Sequence, residues 1–128
     1  MVKFLEELRA EMKRAVESVI HAKIDYLVMG MSAETFWGGK DGAAEFVSFM
    51  SELSGGLGVT TGAAACEAVM KTYGAKRIGI ITPYQEVGDQ QVVDFFTQIG
   101  CDVAAIHGLK CATATSISEV TREEIKNA

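Results

Sequence analysis

Four short segments gather small and hydroxyl-bearing residues directly after apolar runs: Gly30-Met31-Ser32, Thr60-Thr61, Thr82-Pro83-Tyr84 and His107-Gly108. Hydroxyls, backbone N–H groups and helix N-termini brought to one edge make a site for an anion such as a carboxylate. The same donors stabilise the charge that develops on an enediolate. Each segment also has a plainer reading, in which Ser or Thr caps the helix that follows. Tyr84 stands just past the only proline, and its phenol is expected to face a ligand. Cys111, in the loop after His107, is the one thiol expected near that edge. It is the candidate acid or nucleophile, a role that requires a lowered pKa. Cys66 and Cys101 read as small structural residues, and Phe36 and Trp37 as residues packing under a loop.

More familiar chemistries lack their signatures. No Gly-x-Gly-x-x-Gly follows a strand and no Gly-x-x-x-x-Gly-Lys-Ser/Thr occurs, which argues against dinucleotides and P-loop nucleotides. His21 and His107 have no metal-ligand spacing, and His21 suits a helix C-terminus instead. A Gly-x-Ser-x-Gly elbow is also missing. The expectation is a site without a cofactor or metal.

The elements that must position these residues follow from periodicity. Residues 3–21 place Phe4, Leu5, Leu8, Met12, Val16 and Val19 on one helical stripe. Ile24 to Met29 reads as a strand covered on both faces. Asp41 is expected to cap a helix over about 42–53, which Gly55-Gly56 stops. A short strand over 57–60 precedes an alanine-rich helix over 62–73, closed by Gly74. Arg77 to Thr82 is a second buried strand. A helix near 89–99, a strand over 102–106, a polar Thr/Ser loop and a last helix from about Thr121 complete the chain.

Strands alternating with helices predict an α/β fold with a largely parallel sheet. In such sheets ligands bind beyond the carboxyl ends of the strands, where all four polar segments fall. The 128 residues suffice for one core. A formal net charge of −5 argues against a nucleic-acid or anionic-membrane partner. Three unpaired, widely spaced cysteines fit a reducing cytoplasm. The chain opens on a helix and closes on a short one. That suggests a piece of a longer α/β protein, or a compact relative that completes itself as a homo-oligomer.

The stretches YLVMGMSAETFWGG (26–39) and GVTTGAAACEAVMKTYGAKRIGIITPYQEVGDQQVVDFF (58–96) resemble the aspartate/glutamate racemase superfamily, in its arylmalonate decarboxylase and maleate cis-trans isomerase branch. The Thr-Pro-Tyr turn after Tyr-Gly-Ala-Lys-Arg is the most specific part. The resemblance implies a racemase-like fold with flavodoxin-like layers, incomplete relative to the family's two domains. Residues 1–74 would belong to the first α/β domain and 75–128 to the start of the second. It implies a cofactor-independent lyase or isomerase acting on a small carboxylic or dicarboxylic acid. Ser32 and Tyr84 fall where the family forms a dioxyanion hole for the substrate carboxylate, with Gly30, Met31, Thr60, Thr61 and Thr82 around them. Gly30 takes the place of the first cysteine of two-cysteine members, and Met31 that of a hydroxyl in the decarboxylase. The second-cysteine segment would lie beyond Ala128, which leaves Cys111 as a fallback acid. Thr113 to Ile117 would form part of the pocket wall. Two alternatives stay open: a non-catalytic carboxylate-binding module, and a truncated domain lacking the catalytic cysteine.

Overall fold

The computed structural model describes residues 2–31 and 33–128, with the side chains of residues 2–6 and 8 left out. Helix α1 (Val2–Ile20) leads into strand β1 (Tyr26–Val28) and a 3-10 turn, Ala33–Phe36. Helix α2 (Gly39–Leu53), strand β2 (Gly58–Thr60) and helix α3 (Gly62–Tyr73) follow. Strand β3 (Arg77–Thr82), helix α4 (Glu86–Gln98) and strand β4 (Asp102–Gly108) form the next unit. Two short helices, α5 (Ala114–Ser118) and α6 (Arg122–Asn127), close the chain. The α/β class and parallel pairing agree with the sequence reading, but the strands form two separate parallel pairs, β1–β2 and β3–β4.

Each pair is packed on one face only, which corrects the expectation of strands covered on both sides. Along β3 the residues Ile78, Ile80 and Thr82 turn toward the core, whereas Gly79 and Ile81 are exposed. Tyr26 and Val28 on β1 are likewise exposed, Val28 at 72%. An apolar run reports hydrophobicity, not whether a second layer is present to bury it.

Two clusters hold the elements together. Met12 and Val16 of α1 meet Phe46 and Met50 of α2, against Leu27, Met29 and Val59. Phe36, Ala43 and Ala63 join Val92, Phe95 and Phe96 of α4. In this second cluster the Phe95 ring sits edge-on to both Phe36 and Phe96, with centroids 5.2 Å and 5.4 Å away. Helix α2 therefore faces both clusters, and Phe36 anchors the 3-10 turn, as its packing role required.

Helix ends explain most boundary shifts. Asp41 does not cap α2. The N-cap lies three residues earlier at Gly38, whose φ of 78° suits glycine, and the first N–H groups are met by side chains of α4. Gln91 Oε1 accepts from Gly38 N at 2.9 Å, and Gln98 Oε1 from Lys40 N at 2.7 Å. Helix α4 starts at Glu86 rather than near 89. The stretch expected as a polar loop folds into α5 because Thr113 and Ser116 form a reciprocal capping box.

One buried acid shapes the pH response. Burial pushes the Glu34 carboxyl above its ordinary value, partly offset by the Arg9 guanidinium, with Glu45 in the same small recess. A carboxyl whose pKa is raised on folding adds stability at low pH, and that contribution is lost as pH rises through the folded-state value. Glu34→Gln is therefore expected to be more stable than the parent near about pH 8, with the advantage shrinking toward about pH 4. Urea unfolding across that range reads the difference; parallel pH profiles for the two proteins would refute it.

Candidate functional site

The carboxyl ends of β3 and β4 run on into two loops stitched together by main-chain hydrogen bonds. Leu109 N donates to Thr82 O at 2.8 Å, Cys111 N to Pro83 O at 3.0 Å, and Lys110 N to Tyr84 O at 3.2 Å. The Gln85 side chain adds a bond from Nε2 to Cys111 O at 3.1 Å. Lys110 Nζ meets Glu86 Oε1 at 3.3 Å across the same seam, and Lys110 holds a φ of 52° to make the turn. Tyr84 and Cys111, 27 positions apart in sequence, are thereby fixed on neighbouring loops of one seam.

A cleft of about 480 Å³ opens at this seam. Tyr84 and Cys111 stand on its wall, together with Ala33 of the 3-10 turn, Trp37 just after it, and Ala112, Ala114 and Ile117 from the α5 side. Gln85, Val87 and Gly88 bring the first turn of α4 to it. The N-cap residue Gln85 makes no side-chain cap; its Nε2 donates to Cys111 O. Gly88 N and Asp89 N bond to Gln85 O, and no side chain caps the first two N–H groups of this 13-residue helix, those of Glu86 and Val87. Such a cavity is mainly apolar with a few placed donors, the usual composition of a small-molecule site.

Other expected site residues have different surroundings. Thr82 is buried, donates its hydroxyl to Asp89 Oδ1, and accepts from Tyr84 N at 3.2 Å. Thr61 is buried as the N-cap of α3 and accepts from Ala64 N at 3.2 Å. Thr35 Oγ1 takes the neighbouring Ala63 N at 3.3 Å, so α3 spends its first donors internally. Thr60 pairs through its carbonyl with Met29 N at 2.9 Å. Gly30 and Met31 are exposed past β1 and off the cleft wall. Ser32 lies outside the described residues; Ala33, next to it, lines the cleft.

The thiols differ as well. Burial raises the Cys66 pKa, which keeps it a neutral thiol, and Cys101 is buried in the aromatic cluster. Cys111 alone of the three lines the cleft. A wider opening of about 540 Å³ lies on its other side, between His107 and α6, but Glu119 and Glu124 stand on that wall. Hydrogen bonds from Thr121 hold the Glu124 carboxyl below its ordinary value, so it is charged there and repels an anion. The first cleft is the better carboxylate site. Asp89, behind Thr82, went unnoticed in the sequence, where it is one of several acids near the start of a helix. No group of metal-ligating side chains occurs among the described residues, and no described helix is long and apolar enough to cross a membrane.

Comparison with known proteins fits this architecture. A family model described as arylmalonate decarboxylase matches residues 3–128, and the chain belongs to that family. A maleate cis-trans isomerase variant from Nocardia farcinica, with a covalently bound succinylcysteine intermediate, superposes with a TM-score of 0.85 at 21% identity, over 93% of this chain and 50% of that one. Arylmalonate decarboxylase superposes with a TM-score of 0.79 at 14% identity, over 96% and 54%. A variant of the maleate isomerase Iso from Pseudomonas putida S16, with maleate, gives 0.75 at 17%, over 92% and 49%. The chain spans about half the length of these structures, and they share its fold. No curated protein matches it.

Proposed function

We propose that this chain carries the carboxylate-binding part of a cofactor-independent lyase or isomerase acting on a small carboxylic or dicarboxylic acid. The observation that carries the reading is the single cleft walled by Tyr84, Cys111 and the uncapped first turn of α4. A carboxylate seated there takes the Tyr84 hydroxyl and the N–H groups of Glu86 and Val87, with Ser32 as a further donor. The wall of Trp37, Val87 and Ile117 accommodates an apolar substituent. Removal of carbon dioxide or a proton beside the bound carboxylate leaves charge on two oxygens, where preorganised donors are worth about 3 kcal/mol each. Cys111 is the thiol available to return a proton to carbon.

The β1–β2 and β3–β4 pairs support a division into two α/β units near residues 74 and 75. Their bare outer faces are the surfaces a homo-oligomer would use, and three free cysteines suit a reducing compartment. The test is calorimetric titration with maleate and phenylmalonate, followed by assays for carbon dioxide release and α-proton exchange in deuterated water. Binding is expected, with Tyr84→Phe weakening it by about tenfold for one lost hydrogen bond to a charged group. Binding without turnover would assign the chain a carboxylate-holding role alone. Absence of binding would defeat the reading.

A further inference from the structure

Thr82 and Tyr84 meet at a hydrogen-bonded junction whose third member, Asp89, lies off the cleft wall. A hydroxyl has one proton to give. Thr82 gives it to Asp89 Oδ1, which turns the oxygen lone pairs toward Tyr84 N. The other carboxylate oxygen rests against the end of β4. A Cβ built on Gly108 would collide with Asp89 Oδ2 and stand 3.0 Å from Tyr84 O. Asp89 itself is fixed in the first turn of α4, its N–H bonded to Gln85 O at 3.0 Å, where the helix dipole favours an acid. One side chain thus touches the ends of both strands that feed the seam.

We propose that Asp89 is a positioning residue: by orienting the Thr82 hydroxyl it sets the main chain of Tyr84 and, through the stitched loops, that of Cys111. This rests on the reading of the cleft as a carboxylate site, but the geometry it asserts is testable without any ligand. Glu86 and Lys110, the charged groups nearest along the seam, pair with each other rather than with Asp89. The role therefore needs an acceptor oxygen at position 89, not a charge.

Amide hydrogen exchange on the folded protein reads it. Asp89→Ala is expected to speed exchange at Tyr84, Lys110 and Cys111 by about tenfold or more, with β1–β2 amides unchanged. Asp89→Asn keeps an acceptor and is expected to stay within about twofold of the parent. Thr82→Val, similar in volume, is expected to reproduce the alanine effect, and it carries the test where Asp89→Ala fails to fold. In parallel, the Kd for maleate rises about fivefold or more in Asp89→Ala and not in Asp89→Asn. Unchanged exchange at Tyr84 in Thr82→Val, equal acceleration in the Asn and Ala variants, or acceleration spread over the whole chain would overturn the proposal. If the parent binds no maleate, the carboxylate reading falls while the exchange data still decide the role of Asp89.

Discussion

Phe95→Ala should lower stability by about 3–5 kcal/mol, the usual loss for a buried aromatic ring. Domains of this size are stable by only about 5–15 kcal/mol, so the variant is expected to be partly unfolded under mild conditions. Phe95 is 2% exposed and touches two other rings edge-on, so its neighbours are held by it as much as it by them. The consequence reaches the cleft through Phe36, which ends the 3-10 turn and precedes the cleft residue Trp37. Urea unfolding followed by fluorescence of the single tryptophan measures both effects at once. Val87→Ala, half-exposed in the first turn of the same helix, should change stability by no more than about 0.5 kcal/mol. A Phe95→Ala loss below about 1 kcal/mol would mean that the three-ring cluster is not the core of this half.

Gly108→Ala is the second large effect, and it falls on the site. The added methyl collides with the Asp89 carboxylate and crowds the Tyr84 carbonyl at 3.0 Å. A free carboxylate would swing aside at small cost. This one is held by the Thr82 hydroxyl, and the carbonyl is bonded to Lys110 N, so the strain passes into the loops that carry Tyr84 and Cys111. Overpacking of this kind costs about 1–3 kcal/mol of stability. Displacing the Tyr84 loop is expected to weaken carboxylate binding by about tenfold or more, beyond the loss for Tyr84→Phe, since several donors move together. Titration of Gly108→Ala and of Gly79→Ala, where an added Cβ meets nothing within 4 Å, separates the local clash from a general effect of losing a strand glycine. Equal affinity in the two variants would contradict the described seam.

What the sequence disclosed and what it withheld divide along physical lines. Strand β3 over Arg77–Thr82 and helix α3 over Gly62–Tyr73, with Thr61 capping and Gly74 closing at a φ of 63°, matched the reading because hydrophobic pattern and capping residues are local. The start of α2 did not, since its N–H groups are met by Gln91 and Gln98 from a distant helix. The bare outer faces of the strand pairs were invisible for the related reason that burial depends on what else is packed alongside. At the site, the spacing of strand ends brought Tyr84 and Cys111 forward as residues of one edge, and both line one cleft. Their juxtaposition arises from main-chain bonds between loops, for which side-chain identity carries no signal. Asp89 was hidden likewise: an acid in the first turn of a helix is ordinary, and only the fold brings it to Thr82 and Gly108.

The central claim is that the seam between the 83–85 and 109–113 loops holds a small carboxylate. Nitrogen–proton correlation NMR of the isotope-labelled chain, titrated with maleate, addresses it residue by residue. The account predicts saturable shifts at Tyr84, Gln85, Val87, Cys111 and Ala112, with the amides of α6 and the outer face of β1 unmoved. Shifts confined to the Glu119–Ala128 side, or none at any concentration, would contradict it.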